Sequence, residues 1–328
     1  MNLMLFTLAF VAAALCAAVM GFAIQRGATC TVAAVDEVVS KRSARRLVSL
    51  VEASLWVAGG LLLARALDAL PHMPGGYALT GWTVIGGLLL GLGAFVNRAC
   101  VFGAIARLGS GEWAYAATPL GFYLGCVSVP LLLTPPAAHT LADTSPVLQL
   151  PFAALLLFLA FVAWRLLRPL WRRDATHPLH QALAARVWAP HAATTVIGIT
   201  FLAMLLLVGA WAYTDVLAEL ARGMAASLAA RFLLALALLA GAAWGGWTAG
   251  RFRATRITAA QLLRCLLGGA LMGWGTLLIP GGNDGLILVG MPLLWPYAWV
   301  AFASMCVAIG GAQLLQRSLQ KAPLAAAR

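Results

Sequence analysis

The chain has 328 residues, of which 62% are hydrophobic and only 10% charged, and its mean hydropathy is +0.92. A soluble domain carries about 25% charged residues, so this composition predicts an integral membrane protein. Long continuous apolar runs, without alternation of polar and apolar residues, indicate helices rather than an outer-membrane barrel. The net charge of +12 does not point to nucleic acid, because the 22 Lys and Arg residues cluster in short loops between apolar runs.

About nine apolar runs are long enough to cross a hydrocarbon core of ~30 Å. They fall near 3–23, 47–70, 80–96, 113–134, 148–168, 191–213, 227–249, 260–280 and 286–316. Gly and Pro interrupt several of them, so some runs are expected to be pairs of half-helices. The first run lacks the basic n-region of a cleaved signal and is treated as a span. The predicted fold class is an all-α integral membrane protein with about nine transmembrane helices and short re-entrant or broken helices.

Basic residues predict the orientation of these spans. They follow the first span, bracket the polar connection 169–190, separate the seventh and eighth spans, and end the chain. Cytoplasmic loops carry an excess of Lys and Arg. If all four clusters are cytoplasmic, nine spans in a bacterial inner membrane place the N-terminus in the periplasm and the C-terminus in the cytoplasm.

One glycine-rich stretch occurs twice. The stretch 86–103 reads GGLLLGLGAFVNRACVFG, and 268–285 reads GGALMGWGTLLIPGGNDG, with one constant spacing (268 − 86 = 182). In an apolar helix such a ladder of glycines lets another backbone approach closely. Each ladder then runs into a polar, helix-breaking element, and paired interruptions of this kind are typical of a transporter's binding site.

The two ladders also suggest how the chain is divided. The third span would run from outside to inside and the eighth from inside to outside, which predicts two pseudo-symmetric, inverted halves. The divisions are 1–168 for the first transmembrane half, 169–190 for a basic cytoplasmic linker and 191–328 for the second half. Because these halves differ in their number of spans, the symmetry is expected to be partial.

Six cysteines lie in or beside apolar segments without a CxxC pair, so their spacing indicates neither a disulfide framework nor a metal site. No cofactor is predicted. Cys30 and Cys100 stand at polar breaks that follow glycine motifs, which favours a functional role. The other four are predicted to pack as small hydrophobic residues. One of these, Cys265 in the eighth span, is also a candidate for extending a file of thiols.

Three motifs resemble those of the YeeE/YedE family of thiosulfate transporters. They are GFAIQRGATC at 21–30, the first glycine ladder, and GRFR at 250–253. The resemblance implies a nine-span hourglass whose cysteines pass thiosulfate through a narrow centre, and a small cytoplasmic sulfur-carrier protein as a partner. Cys30 and Cys100 match two family cysteines. Gly282 stands where the family often has the cysteine of a GCNIG motif, so the chain is a variant that lacks the third thiol.

Four further residues are candidates for the substrate path. Asn283 has an amide that could donate to a bound oxyanion. Asp284 is a costly carboxylate at membrane depth that could couple transport to protons, cap the following half-helix or pair with an arginine. Arg26 and Arg98 could draw an anion toward the breaks or extend to the cytoplasmic interface.

The predicted function is import of thiosulfate or a related small sulfur-containing anion through a cysteine-lined path. A buried thiol is a neutral, weak donor, which suits a soft sulfur atom that must leave again. One alternative is a transporter of the same fold for another sulfur or selenium solute. A second is a membrane thiol or sulfur-transfer enzyme, against which the absence of CxxC counts. The chain is therefore expected not to be an enzyme, and its expected surroundings are the lipid bilayer and the anion, without nucleic acid.

Overall fold

The computed structural model describes residues 3–132, 139–141, 144–171, 185–223 and 228–326. Within these ranges the chain is built from helices, which run in chain order as α1 Leu3–Gly27, α2 Thr31–Lys41, α3 Arg45–Ala66, α4 Gly81–Asn97, α5 Val101–Gly109, α6 Ala117–Leu132, α7 Phe152–Trp171, α8 Pro190–Val208, α9 Tyr213–Ala221, α10 Leu228–Thr248, α11 Ala259–Leu278, α12 Asn283–Gly285 and α13 Pro296–Ala326. A π-helical turn, Leu286–Gly290, continues α12. Most of the predicted linker 169–190 lies outside the described residues.

Eight helical stretches in the described part of the chain are long and apolar enough to cross a membrane, and α7 adds a shorter apolar stretch, Phe152–Arg165. The prediction of an all-α membrane protein is confirmed. The predicted run 286–316 is wrong as a single span, because it divides into the π-helical turn and α13. Helix α13 begins at Pro296. Proline is favoured in a first helical turn because the N–H that it lacks would have no acceptor within the helix there.

Four short helical segments, α2, α5, α9 and α12, each follow a break in the chain. All four breaks contain a residue with positive φ: Ala28 at 45°, Arg98 at 59° and Gly209 at 88° in the first three, and Pro280 at 27° and Gly281 at 158° in the fourth. Such a residue ends one helix and turns the chain before the next begins. The N-cap residues of the four segments are Cys30, Cys100, Ala212 and Gly282. Both family-matching cysteines therefore stand immediately before a short helix.

The spacing of 182 residues extends beyond the glycine ladders. Thr31 begins α2, and Tyr213 begins α9, 182 positions later. The same spacing relates the first residues of α5 and α12, and the last residues of α3 and α10. Helices α1–α6 thus correspond in order to α8–α13. Helix α7, which lies between the two sets, has no counterpart among the described helices.

The two glycine ladders pack directly against each other. A methyl group built on Gly86 would lie 2.8 Å from the carbonyl oxygen of Gly275, and one built on Gly275 would lie 2.5 Å from that of Gly86. Gly93 and Gly268 show the same reciprocal contact at 2.7 Å in both directions. Helices α4 and α11 therefore run antiparallel with their backbones in contact, and these positions must remain glycine for the contact to form.

Ion pairs join basic segments that are distant in sequence. Arg317 of α13 pairs with Asp36 of α2 at 2.8 Å, and Arg165 of α7 pairs with Glu52 of α3 at 2.9 Å. The basic residues that follow the first span and those near the end of the chain consequently lie at the same end of the helix bundle. We call this the basic end.

Candidate functional site

The short helices meet through the residues at their N-termini. The backbone N–H of Thr31 donates to Sγ of Cys100 at 3.1 Å, which joins α2 to α5. The Thr31 hydroxyl donates to Oδ1 of Asn283 at 3.3 Å, which joins α2 to α12. The backbone N–H of Thr214 donates to Oδ2 of Asp284 at 3.1 Å, which joins α9 to α12. The N-termini of the four short helices, which carry partial positive charge, therefore meet in one region of the protein.

The two predicted path thiols are adjacent. The backbone N–H of Thr31, the residue after Cys30, donates to Sγ of Cys100, and both thiols are free. Cys100 is fully buried, whereas Cys30 is partly accessible. Sγ of Cys30 lies against Gly103, where an added methyl group would come within 2.5 Å of it. The motif positions thus form one dithiol site rather than two separate stations.

Asn283 supplies a hydrogen-bond donor beside this site. Its side chain is completely buried, and Oδ1 accepts the hydrogen bond from Thr31. Its Nδ2 has no partner within the described part of the chain. Leaving a buried donor unpaired costs about 1–3 kcal/mol. An oxygen atom of a bound anion would remove this cost, as the amide's predicted role requires.

A threonine occupies the space expected for a third thiol. A methyl group built on Gly282 would lie 2.1 Å from Oγ1 of Thr214 and 2.6 Å from its Cβ. Sequence reasoning missed Thr214. The available signal was that Gly209-Ala210 repeats Gly27-Ala28 at the spacing of 182 residues, which predicts another break and short helix just before Thr214.

Asp284 is tied to the same threonine. Its carboxylate is buried and accepts hydrogen bonds from both the backbone N–H and the hydroxyl of Thr214. Thr214 lies in the first turn of α9, where unpaired N–H groups favour a carboxylate. Among the described residues the contacts of Asp284 are those of a helix cap, but the helix that it caps is α9 rather than the half-helix that follows it in the chain.

The two candidate arginines lie in different environments. Arg26 is 3% exposed and donates to the carbonyl oxygen of Ala185 at 2.6 Å and to Oγ1 of Thr248 at 2.8 Å. Its guanidinium also lies 4.9 Å from the ring centroid of Phe22. These contacts hold α1 against its neighbours. Arg98 is exposed and lines a cavity at the basic end.

Cys265 lies near the dithiol site. It is fully buried in a small apolar cluster, against which Cys30 also packs. The other buried members of this cluster are Ala99, Ala104, Tyr115 and Ala117. Cys126, by contrast, donates to the carbonyl oxygen of Gly273 at 3.6 Å, between α6 and α11. Among the described residues, no group of three or more His, Cys, Asp and Glu side chains could hold a metal ion.

Eight apolar helical stretches in the described part of the chain, arranged around short helices whose N-termini meet, fit a membrane transport protein, and comparison with known proteins agrees. The family described as Sulphur transport matches residues 26–311, and the chain belongs to this family. Over 355 residues the chain is 24% identical to the thiosulfate transporter TsuA of Escherichia coli (strain K12), with 95% of this chain and 97% of that protein covered.

Family membership confirms several expectations. The chain is a multi-pass membrane protein of a transporter family, so the enzyme alternative is not retained. Its substrate class is a small sulfur-containing anion. The similarity also extends over almost the entire chain, so both sets of six helices lie within the matched region.

Proposed function

We propose that this protein imports thiosulfate, or a closely related anion, through a narrow centre formed by Cys30, Cys100 and Asn283. The observation that carries the proposal is that Cys30 and Cys100 lie close together, beside a buried amide donor that has no partner among the described residues. The relative named as a thiosulfate transporter supports this choice of anion.

The chemistry of the centre fits an anion with two different ends. Neutral thiols are weak donors that can contact a soft terminal sulfur atom without holding it tightly. The amide of Asn283 is a stronger donor for an oxyanion. The N-termini of the 11-residue α2 and the nine-residue α5 add partial positive charge. Conduction requires binding that is favourable enough for entry and weak enough for release, and this combination provides both.

The substrate path would have two thiols where the resemblance implies three. Gly282 contributes no side chain, and the hydroxyl of Thr214 stands in the corresponding space. Cys265 would extend the path from Cys30 toward the basic end, since both pack against the same cluster. A hydroxyl in place of a thiol changes the groups that line the path. The alternative function is therefore transport of a different sulfur or selenium anion by the same fold.

We further propose that α1–α6 and α8–α13 are inverted repeats joined by α7. A two-fold axis makes contacts reciprocal. Replacing each residue of the Gly86–Gly275 contact by its counterpart 182 positions away gives Gly268 and Gly93, which are also in contact. Each set contains four of the eight spanning stretches. Four crossings return the chain to the side of the membrane on which it started. One further crossing is therefore needed between the two sets if the second set is to be inverted relative to the first. This assigns α7 to the connection rather than to a first half ending at residue 168.

The basic end is proposed to face the cytoplasm of a bacterial cell, with the N-terminus in the periplasm. The clustering of basic residues at this end supports this orientation. Ser40 and Arg222 are exposed and 182 positions apart, so cysteines at these sites test it. A membrane-impermeant maleimide added to whole spheroplasts is expected to label Arg222→Cys but not Ser40→Cys. Labelling of both positions from one side would rule out inversion. The sulfur-carrier partner stays a prediction.

Uptake of radiolabelled thiosulfate tests the function. The host should lack its own thiosulfate and sulfate importers, and variants should be compared at matched expression. Wild type is expected to take up label. Cys100→Ala and Asn283→Ala are expected to lower the rate at least ten-fold, because each removes a donor from the centre. Cys306→Ala, which changes a cysteine outside the centre, is the matched control and should retain uptake. A folded wild type without uptake would refute thiosulfate as the substrate.

A further inference from the structure

A cavity of about 510 Å³ lies at the basic end, between α2, α4, α11 and α13. Its wall includes Val32 and Arg98, which stand two residues from Cys30 and Cys100, respectively. The cavity therefore adjoins the two chain breaks that carry the thiols. We call it the basic vestibule.

The vestibule carries excess positive charge. Arg98, Arg264 and Arg317 contribute guanidinium groups to its wall, whereas the carboxylate in the wall is that of Asp36, which is paired with Arg317. Neither Arg98 nor Arg264 forms an ion pair within the described ranges. Two positive charges thus line the cavity without a counter-charge, which favours entry of an anion.

Buried polar atoms without partners also face this region. Gln313, in the vestibule wall, is only 8% exposed, and its Nε2 donates to the carbonyl oxygen of Val32 at 3.3 Å. Its Oε1 and the Nε of Arg264 are buried and have no partner among the described residues. An oxyanion would accept from Nε of Arg264, and water bound to that anion would donate to Gln313. Such an arrangement would satisfy both groups.

The vestibule exists on one side of the proposed two-fold axis. At the spacing of 182 residues, Arg98 corresponds to Pro280 and Arg264 to Trp82, and Gln313 corresponds to Leu131. The equivalent positions at the opposite end therefore carry no charge. Charge at the basic end is thus not a by-product of the repeated framework, which would place it at both ends.

We propose that the basic vestibule is a binding site for a small divalent oxyanion, on the substrate path between the thiols and the aqueous phase at the basic end. Arg98 and Arg264 would bind the anion through charge-assisted hydrogen bonds, and Gln313 would organise its hydration. This inference rests on the proposed function for the identity of the transported anion, but the binding site itself can be tested separately.

The first experiment measures anion-dependent thermal stabilisation of the purified protein. Sodium thiosulfate and sodium sulfate are titrated against sodium chloride at equal ionic strength. The variants are wild type, Arg98→Gln/Arg264→Gln, and the control Arg45→Gln/Arg256→Gln, which removes two exposed charges outside the vestibule wall. The vestibule variant is expected to weaken apparent affinity at least ten-fold, because it removes two charge-assisted hydrogen bonds to the anion. The control is expected to match wild type.

The results separate this inference from the proposed function. The proposal that the vestibule binds the anion would be overturned by either of two results. One is an equal loss of apparent affinity in both double variants, and the other is no stabilisation of wild type by either divalent anion. Loss of binding in Cys30→Ala/Cys100→Ala, with full binding in the vestibule variant, would also overturn it by placing the anion at the thiols. In proteoliposomes, the vestibule variant should raise the half-saturating thiosulfate concentration at the basic end only. Binding without transport of thiosulfate would support the vestibule and refute the proposed substrate.

Discussion

Replacing Gly282 with alanine tests whether Thr214 has taken the place of a third thiol. The added methyl group would lie 2.1 Å from Oγ1, 2.6 Å from Cβ and 2.9 Å from Cγ2 of Thr214. All three separations are far shorter than the 3.5–4.0 Å at which carbon atoms attract. Overpacking of this kind typically costs 1–3 kcal/mol. Because the carboxylate of Asp284 holds Thr214 at two atoms, we expect a cost of about 3 kcal/mol.

A double-mutant cycle isolates this contact. Thr214→Gly alone should also destabilise, because it removes a hydrogen bond to a buried carboxylate. In the double variant the methyl group has room, so its cost should largely disappear, with a coupling of about 2 kcal/mol. The assay is the apparent melting temperature in detergent, followed by fluorescence-detected size exclusion, with about 2–4 °C expected per kcal/mol. Strictly additive effects, or a Gly282→Ala variant as stable as wild type, would refute the steric argument.

Three further predictions follow from contacts elsewhere. Gly93→Ala should lower the melting temperature, since its methyl group would meet the backbone of α11 at 2.7 Å. The control is Gly311→Ala, whose methyl group would have no described neighbour within 4 Å and which should gain up to about 1 kcal/mol of helix stability. Equal effects of the two substitutions would contradict the ladder packing. Asp284→Asn should cost about 1.5–3 kcal/mol, because an amide cannot accept both hydrogen bonds from Thr214; an unchanged melting temperature would argue against the cap. Arg26→Gln should lower the melting temperature but leave the KM for uptake unchanged, and a raised KM at normal stability would instead place Arg26 on the path.

The features that sequence predicted correctly depend on local patterns. Apolar runs, the glycine ladders and the breaks after them follow from residue type and spacing along a single segment. The close packing of Gly86 and Gly93 followed from the same logic, because only glycine allows helix backbones to approach so closely. The end of each ladder likewise predicted a chain break, and Cys100 and Gly282 stand at matching N-caps.

The features that sequence did not predict depend on which distant segments meet. Nothing in the spacing of Cys30 and Cys100 indicates that the two residues lie close together in the fold, because 70 positions separate them. The burial of Arg26 likewise depends on acceptors far along the chain, at Ala185 and Thr248. Thr214 was missed because the break before it shares only a glycine and an alanine with the first break. The residue types therefore do not reveal that the backbone conformation repeats.

Helix α7 has a consequence for how this protein is assembled. In the proposed arrangement each repeat crosses the bilayer an even number of times, so two repeats fused directly would insert in the same direction. Gly86 could not then meet Gly275 in an antiparallel pair, and the four short helices would not share a centre. The helix without a counterpart in the repeat would therefore decide, during membrane insertion, whether the dithiol site forms at all. Removing one crossing would abolish the transport path without altering any residue that lines it.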